Sequence, residues 1–331
     1  MNRSPATGAA LLAASLLTPT LASAAPRATQ GDFSVDKGAE TWTFHTRFSD
    51  ETSHPRTVEF RLPAKAVTKD NDKPLKFPTE AAAKAQVAAI RAWEEKHGGP
   101  KVTAKAGKGG TVSLKVSGKS ATKMRSALDN AKATAETALS VFLYRHRYTR
   151  LRNDGIVPDH ARLAREYADD VAPLADALAV DAPDARTFVS RALAYVQAIP
   201  YEGGKNGADK GYRRPLSVLA RNKGDCDSKT TLFLALLESE HPEVASTVVY
   251  IPDHAFAGVA LEPEAGERTF VRDGTTYVGM EPVGPAKLAP GKVSGASGWH
   301  LFWGSAEARA VLRPGEPDAA AAVEGSEVPA E

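Results

Sequence analysis

The alternation of apolar and polar residues predicts two β-strands early in the chain. The apolar positions of these strands are Trp42, Phe44, Phe48, Val58, Phe60 and Leu62. Further segments are predicted as a helix over residues 80–97 that is capped by Thr79, a hairpin over residues 102–117 and a helix over residues 121–147. This order predicts an α+β domain at residues 41–148, with helices on one face of an antiparallel sheet. Residues 25–40 are interpreted as a loose leader.

The second half of the chain predicts another α+β domain, at residues 159–310. It follows a polar stretch, residues 149–158, that we interpret as the domain boundary. Helices are expected at residues 159–178, with a kink or break at Pro173, and at residues 184–198. Antiparallel strands are expected at residues 247–251, 254–261, 268–272 and 277–280, with residues 299–303 as a last strand or a covering segment. Residues 315–331 are rich in Ala, Glu and Pro and are predicted to be a disordered tail.

The segment from residue 226 to residue 239 is predicted to be a buried helix. Its apolar residues cover every side of the helix, and a helix that is apolar all round belongs in a core. The residues that make it so are Leu232, Phe233, Leu234, Leu236 and Leu237. Asp225 is a good N-cap and Gly224 breaks the structure before it, so the helix is expected to begin next to Cys226.

Composition and charge exclude some classes of function. The 331 residues are enough for two domains with real cores, and 42% hydrophobic and 25% charged residues are typical of a globular protein. A formal net charge of +2 is too small to indicate a nucleic-acid partner or an anionic membrane surface. After the N-terminal segment no run of about 18 apolar residues occurs, so no membrane span is expected.

The N-terminus has the pattern of a secretory signal peptide. Arg3 supplies the positive start, residues 9–17 form a short apolar core, and Ala22-Ser23-Ala24 is a small-residue cleavage site. We therefore predict a signal peptide at residues 1–24 and an exported protein, periplasmic or secreted. The mature chain would begin at Ala25, which is not a cysteine, so no lipid anchor is expected at the cleavage site.

Cys226 is the only cysteine in the chain, and it stands where a nucleophile is expected. In the first turn of a helix, the unpaired N–H groups and the positive end of the helix dipole favour a thiolate. A single cysteine forms neither an intramolecular disulfide nor a cysteine-rich metal site. The alternative is that Cys226 is a small buried apolar residue with no chemical role.

His254 and Glu281 are the candidates to assist Cys226. A cysteine nucleophile needs a base for its proton and an acceptor that orients the base. His254 opens the strand after the cysteine helix, and Glu281 ends a later strand. Asp253 is a rival acceptor, but adjacent strand positions face opposite sides, so Glu281 is preferred.

Other chemistries have little support in the sequence. The eight histidines show no HExxH pattern, and neither a metal nor a cofactor is expected. Gly118-Lys119-Ser120 resembles the end of a P-loop, but Ser113 stands where the first glycine belongs. We interpret it as a turn with a serine helix cap.

Four segments in this order resemble the transglutaminase-like superfamily over residues of about 160–285. They are Val196-Gln197-Ala198-Ile199-Pro200-Tyr201, Gly224-Asp225-Cys226-Asp227-Ser228-Lys229, His254-Ala255-Phe256 and Glu281-Pro282-Val283. The resemblance implies a catalytic domain that is a circularly permuted relative of papain-type proteases, with Gln197 as candidate oxyanion donor. Phe256 replaces the family's common tryptophan, and Glu281 replaces its aspartate.

This resemblance implies acyl transfer through a thioester of Cys226, with a peptide or protein as substrate. The products would be those of a cysteine peptidase, an amidase or a protein-glutamine transglutaminase-like acyltransferase. Hydrolysis is favoured because water is the default acceptor for an exported enzyme. Cell-wall peptide as substrate rests on the compartment alone. Two alternatives stay open: a binding or scaffold module without turnover, and a structural cysteine in an unrelated α+β fold.

Overall fold

The computed structural model describes residues 26–70, 74–202 and 211–312. The predicted signal peptide at residues 1–24 and the predicted tail at residues 315–331 lie outside the described residues. Within the described ranges no helix combines the length and the apolar character that a membrane crossing needs. The fold is a mixture of helices and antiparallel sheets, which confirms the α+β class.

The chain begins with a three-stranded antiparallel sheet in the order β1-β2-β3. Its strands are β1 (Gln30–Lys37), β2 (Thr41–Ser49) and β3 (Pro55–Pro63). The predicted alternation is confirmed, since the apolar side chains of β2 and β3 are buried on one face. The loose leader predicted for residues 25–40 is wrong. Phe33 and Val35 face the core, and pairing with β2 satisfies the backbone of β1, which two apolar residues alone did not reveal.

The described part of residues 64–145 contains three helices and a hairpin. The elements are α1 (Ala64–Asp70), α2 (Thr79–His97), β4 (Lys101–Ala106), a 3₁₀ turn (Lys108–Gly110), β5 (Val112–Ser117) and α3 (Ala121–Arg145). α2 and α3 pack on each other and on the hairpin. The hairpin β4–β5 is a sheet separate from β1–β3, so the predicted single sheet is wrong. Pro78 rather than Thr79 is the N-cap of α2. Ser120 caps α3 by accepting from the Lys123 N–H, as predicted.

The second half begins with a short hairpin and four helices. They are β6 (Tyr148–Arg150), β7 (Ile156–Pro158), α4 (His160–Ala179), α5 (Ala185–Ala198), α6 (Pro215–Arg221) and α7 (Cys226–Glu240). α4 runs through Pro173 as one helix instead of breaking there. α7 is buried along its apolar length by α4, α5, α6 and the sheet that follows, which confirms the predicted core helix.

A five-stranded antiparallel sheet in the order β10-β11-β9-β8-β12 completes the fold. Its strands are β8 (Ser246–Ile251), β9 (His254–Val259), β10 (Thr269–Arg272), β11 (Thr275–Met280) and β12 (Glu307–Leu312). α7 packs on one face, and Leu301 of α8 (Gly295–Phe302) packs on the other. Residues 299–303 therefore belong to a helix and its end, capped by Ser294 at its start, instead of a last strand.

The main hydrophobic core does not follow the predicted boundary at residues 149–158. The apolar face of β1–β3 is covered by α4 and α5, and the core that they enclose also contains α7. Phe48 of β2, for example, meets Tyr195 of α5 edge-on, with ring centroids 5.3 Å apart. Because a sheet must bury its apolar face against another layer, β1–β3 belongs to the core of the second half. The proposed division into residues 41–148 and 159–310 cuts through this core.

The shared core predicts that a cavity in β2 destabilises the cysteine helix. Phe48→Ala should lower the free energy of unfolding by about 3–5 kcal/mol and speed amide hydrogen exchange in α5 and α7. Ile90→Ala is the matched control, because Ile90 is equally buried but belongs to the separate cluster between α2, α3 and β4. If Phe48→Ala leaves amide hydrogen exchange in α5 and α7 unchanged, the shared core is contradicted.

Candidate active site

Cys226 is the first residue of α7, and its position is set by a capped helix start. Asp225 is the N-cap, as predicted, and its carboxylate accepts from the Ser228 N–H at 3.0 Å. Gly224 lets the preceding loop pack closely, since a Cβ there would lie 3.0 Å from the Lys229 side chain. The backbone N–H of Ala255, in β9, donates to the Cys226 sulfur. The sulfur therefore lies against the first residues of β9, the strand that His254 opens.

The thiol is not the stabilised thiolate that its helix position led us to expect. Burial raises the pKa of Cys226 well above its ordinary value, and the carboxylates of Asp227 and Asp225 raise it further. The Sγ–H donates to Asp227 Oδ1 at 3.3 Å, while the Ala255 N–H acts in the opposite direction. Desolvation and two neighbouring negative charges outweigh the helix start, so the resting group is a thiol.

His254 and Glu281 are hydrogen-bonded to each other. The distance from His254 Nε2 to Glu281 Oε2 is 2.9 Å, and the carboxylate is buried whereas the ring is partly exposed. A carboxylate only accepts hydrogen bonds, so Nε2 carries the proton of the neutral ring. Nδ1 is then the basic nitrogen that His254 has left for another group.

Glu281 is held as a carboxylate by three donors. Burial opposes the ionisation of Glu281. The hydrogen bond from His254 and the attraction of the protonated His254 ring outweigh this effect, together with the Ser297 hydroxyl and the Ser294 N–H, which both donate to Oε1. The pKa of Glu281 is therefore below its ordinary value. Ser294 and Ser297 are the cap and first turn of α8, so this helix orients the carboxylate. Neither serine was singled out in the sequence. The serine cap Ser294-x-x-Ser297 is the local signal that marks them.

The side chains around His254 agree with its place at a strand end. Phe256 is buried and stacks on the imidazole, with ring centroids 6.1 Å apart. Asp253, the rival acceptor, lies in the exposed turn before β9 with a φ of 59°. The ion pair is therefore made by the residue at the end of β11 and not by the chain neighbour of His254.

Gln197 does not have the role that the resemblance implied. Its side-chain amide is buried, and Nε2 donates to the carbonyl oxygens of Glu281 at 2.8 Å and Leu288 at 2.9 Å. Its Oε1 accepts from the Leu288 N–H at 3.2 Å. Both amide protons are used, so Gln197 is wrong as an oxyanion donor. It ties the end of α5 to the segment that carries Glu281.

Lys229 is a fully buried cation one turn after Cys226. Its Nζ donates to the carbonyl oxygens of Ile199 at 2.8 Å and Gln197 at 3.4 Å, at the C-terminal end of α5. In the described part of the chain no carboxylate forms an ion pair with it, and burial lowers its pKa to about 7. Lys229 therefore links α7 to the end of α5. At that same end of α5, Gln197 holds the segment that contains Glu281.

Tyr201, at the end of the segment Val196-Gln197-Ala198-Ile199-Pro200-Tyr201, lies near Cys226 and was not among the predicted site residues. Its backbone pairs with Gly224, two residues before Cys226, and its ring is half exposed. Partial burial raises the pKa of Tyr201, and the nearby Cys226 and Asp225 raise it further.

Comparisons of the chain with protein-family models, curated proteins and solved structures find no match. The expectation of a transglutaminase-like domain therefore rests on the four sequence segments alone. Among the residues that the structure describes, no group of three or more His, Cys, Asp or Glu side chains is placed to hold a metal ion.

The environment of Cys226 predicts that Asp227 suppresses its reactivity. Asp227→Asn removes the nearest carboxylate, so the thiol pKa should fall and iodoacetamide labelling at pH 7 should become roughly tenfold faster for each unit of pKa lost. Glu240→Gln, at the other end of α7, is the control and should label like the wild type. A wild-type thiol that titrates below about 8.5 would contradict the buried, protonated group.

The buried amine of Lys229 predicts a pH-dependent contribution to stability. Its folded pKa of about 7 lies below the value of about 10.4 for an unfolded chain, so the unfolded state binds the extra proton between these values. The free energy of unfolding contributed by this site therefore rises with pH across that window, falls as the pH drops towards about 7, and levels off below it, where both states hold the proton. In urea unfolding, the free energy of unfolding of the wild type should increase by about 1 kcal/mol relative to that of Lys229→Met from pH 7 to pH 8. A constant difference would mean that Lys229 keeps its proton.

Proposed function

We propose that the chain is an exported transglutaminase-like cysteine enzyme that acts on amide bonds of a peptide or protein. The observation that carries the proposal is the 2.9 Å hydrogen bond between His254 and Glu281. The next residue after His254 is Ala255, whose N–H donates to the Cys226 sulfur. A nucleophile, a base with a free nitrogen and a buried acceptor for that base are the parts that acyl transfer needs. A papain-like arrangement of the second half belongs to the same proposal.

The reaction begins from a thiol because Cys226 is protonated at rest. As Sγ attacks the amide carbonyl carbon, the thiol proton passes to His254 Nδ1 and the carbon–sulfur bond forms. The protonated His254 then gives this proton to the leaving amine as the carbon–nitrogen bond breaks, which leaves a thioester. Glu281 holds the ring tautomer and stabilises the imidazolium during both transfers.

The oxyanion of the tetrahedral intermediate needs donors other than Gln197. The backbone N–H of Cys226 belongs to the first turn of α7 and lacks a partner within the helix. The hydroxyl of Tyr201 is the proposed second donor. Removing one such donor costs on the order of 10² to 10³ in rate, so Tyr201→Phe tests this assignment by its effect on kcat.

Hydrolysis is the proposed fate of the thioester. Water attacks the thioester carbonyl with His254 as base, the acid is released and the thiol is restored. An amine acceptor in place of water would give an isopeptide, the reaction of a transglutaminase. Mass spectrometry of a peptide library after incubation separates the two outcomes, since isopeptide products without free acid would contradict the hydrolase.

The proposal predicts a graded loss of activity for variants of Cys226 and His254. Cys226→Ala should abolish both turnover and the covalent thioester adduct seen by mass spectrometry of the intact protein. His254→Ala should lower kcat/KM by about 10² to 10⁴. His241→Gln serves as control, because His241 lies at the opposite end of α7. Equal activity of His254→Ala and the wild type would overturn the assignment of the base.

A binding module without turnover is the second candidate function. The raised thiol pKa of Cys226 and the carboxylate of Asp227 beside it favour this alternative, because both oppose formation of the nucleophile. Here the site around Cys226 and His254 would hold a peptide or glycan without cleaving it. A Cys226→Ala variant that retains the full biological activity of the wild type would support the module over the enzyme.

A further inference from the structure

A cavity of about 380 Å³ lies beside the candidate site and takes no part in the mechanism described so far. It is bounded by the N-terminal segment, residues 27–30, by the end of α5 from Gln197 to Tyr201, and by Gly284 and Pro285. Tyr201 joins the cavity to the surroundings of Cys226, and Gln197 joins it to the segment of Glu281. The volume is within the range of small-ligand sites.

The wall formed by the N-terminal segment is anchored to the rest of the fold. Ala28 N–H donates to Pro285 O at 2.8 Å, and Lys287 N–H donates to Pro26 O at 2.7 Å. Gln30 exchanges two side-chain amide bonds with Asn222, at 2.9 and 2.6 Å. The segment that was interpreted as a loose leader is thus a built part of this cavity.

The opposite wall requires a glycine. A Cβ at Gly284 would lie 2.3 Å from the backbone oxygen of Gln197, closer than a side chain permits. Gly284 therefore lets the chain after Glu281 pass directly against the end of α5. This close approach keeps the cavity walls at a set distance.

Among the described residues, Arg27 is the only charged side chain that lines the cavity, and it is exposed to solvent. Within the described residues its guanidinium forms neither an ion pair nor a side-chain hydrogen bond. The other polar groups that line the cavity, among them Thr29, Gln30 and Tyr201, are neutral. A guanidinium binds a carboxylate through two parallel hydrogen bonds, a geometry that few other groups match. The cavity therefore favours a ligand that carries a carboxylate.

We propose that this cavity is a subsite for a carboxylate-bearing residue of the substrate, next to the amide that Cys226 attacks. The inference rests on the proposed function for the identity of the substrate, and it narrows the substrate class to acidic peptides. Arg27 acts as the specificity-determining residue, and Tyr201 lies between this subsite and the reacting sulfur.

The test uses peptide pairs that differ only by Glu or Gln at each position flanking the scissile amide. The wild type should cleave the Glu member of one pair with a kcat/KM about tenfold or more higher, the discrimination expected of a charged hydrogen bond. Arg27→Gln should remove this preference, and Arg27→Lys should retain part of it. Arg91→Gln, on the exposed side of α2, should behave like the wild type.

Calorimetric titration of the same peptides into Cys226→Ala separates this inference from the proposed enzyme. Turnover without any preference for Glu would overturn the subsite and leave the enzyme standing. Binding of the Glu peptide to Cys226→Ala that Arg27→Gln abolishes, with no turnover by the wild type, would support the subsite and overturn the enzyme. Absence of both turnover and Arg27-dependent binding would overturn the subsite.

Discussion

The burial of α7 is the constraint on which the rest of the structure depends. A helix that is apolar on every side has no stable position at a surface, so other elements must surround it. α4, α5 and α6 do so together with the five-stranded sheet, and the N-terminal sheet closes the same core. Because the buried helix begins at Cys226, the enclosing elements also bring β9 and the end of α5 to that residue.

Burial also imposes costs, and the polar groups near Cys226 are arranged to meet them. Lys229 lies inside the core with no acidic partner among the residues that the structure describes, and it satisfies carbonyl groups at the end of α5 that the helix leaves unpaired. Gln197 uses its whole amide to bond the segment of Glu281. The cysteine helix and the segment of Glu281 are thus joined by buried hydrogen bonds at the end of α5, and desolvation also raises the pKa of the Cys226 thiol.

Much of the fold was predictable because it depends on short-range patterns. The period of two in β2 and β3, the caps Ser120 and Asp225, and the uniform apolarity of α7 are each visible within a few residues. β1 was missed because its apolar residues are few and its stability comes from the layers that it covers. α8 was not predicted as a helix because it contains two glycines, which disfavour a helix, among its eight residues. The extent of the core was missed for a related reason, since no local pattern says which helix covers the sheet β1–β3.

The identity and order of the candidate groups could be read from local patterns, with Cys226 at a helix start, His254 at a strand start and Glu281 at a strand end. The packing of distant elements sets the partners: His254 bonds Glu281 instead of Asp253, Gln197 has no free donor, and Arg27 lines a cavity beside the site. The physical reason is that caps and periodicity act between near neighbours, whereas desolvation and hydrogen-bond partners depend on elements far apart in the chain.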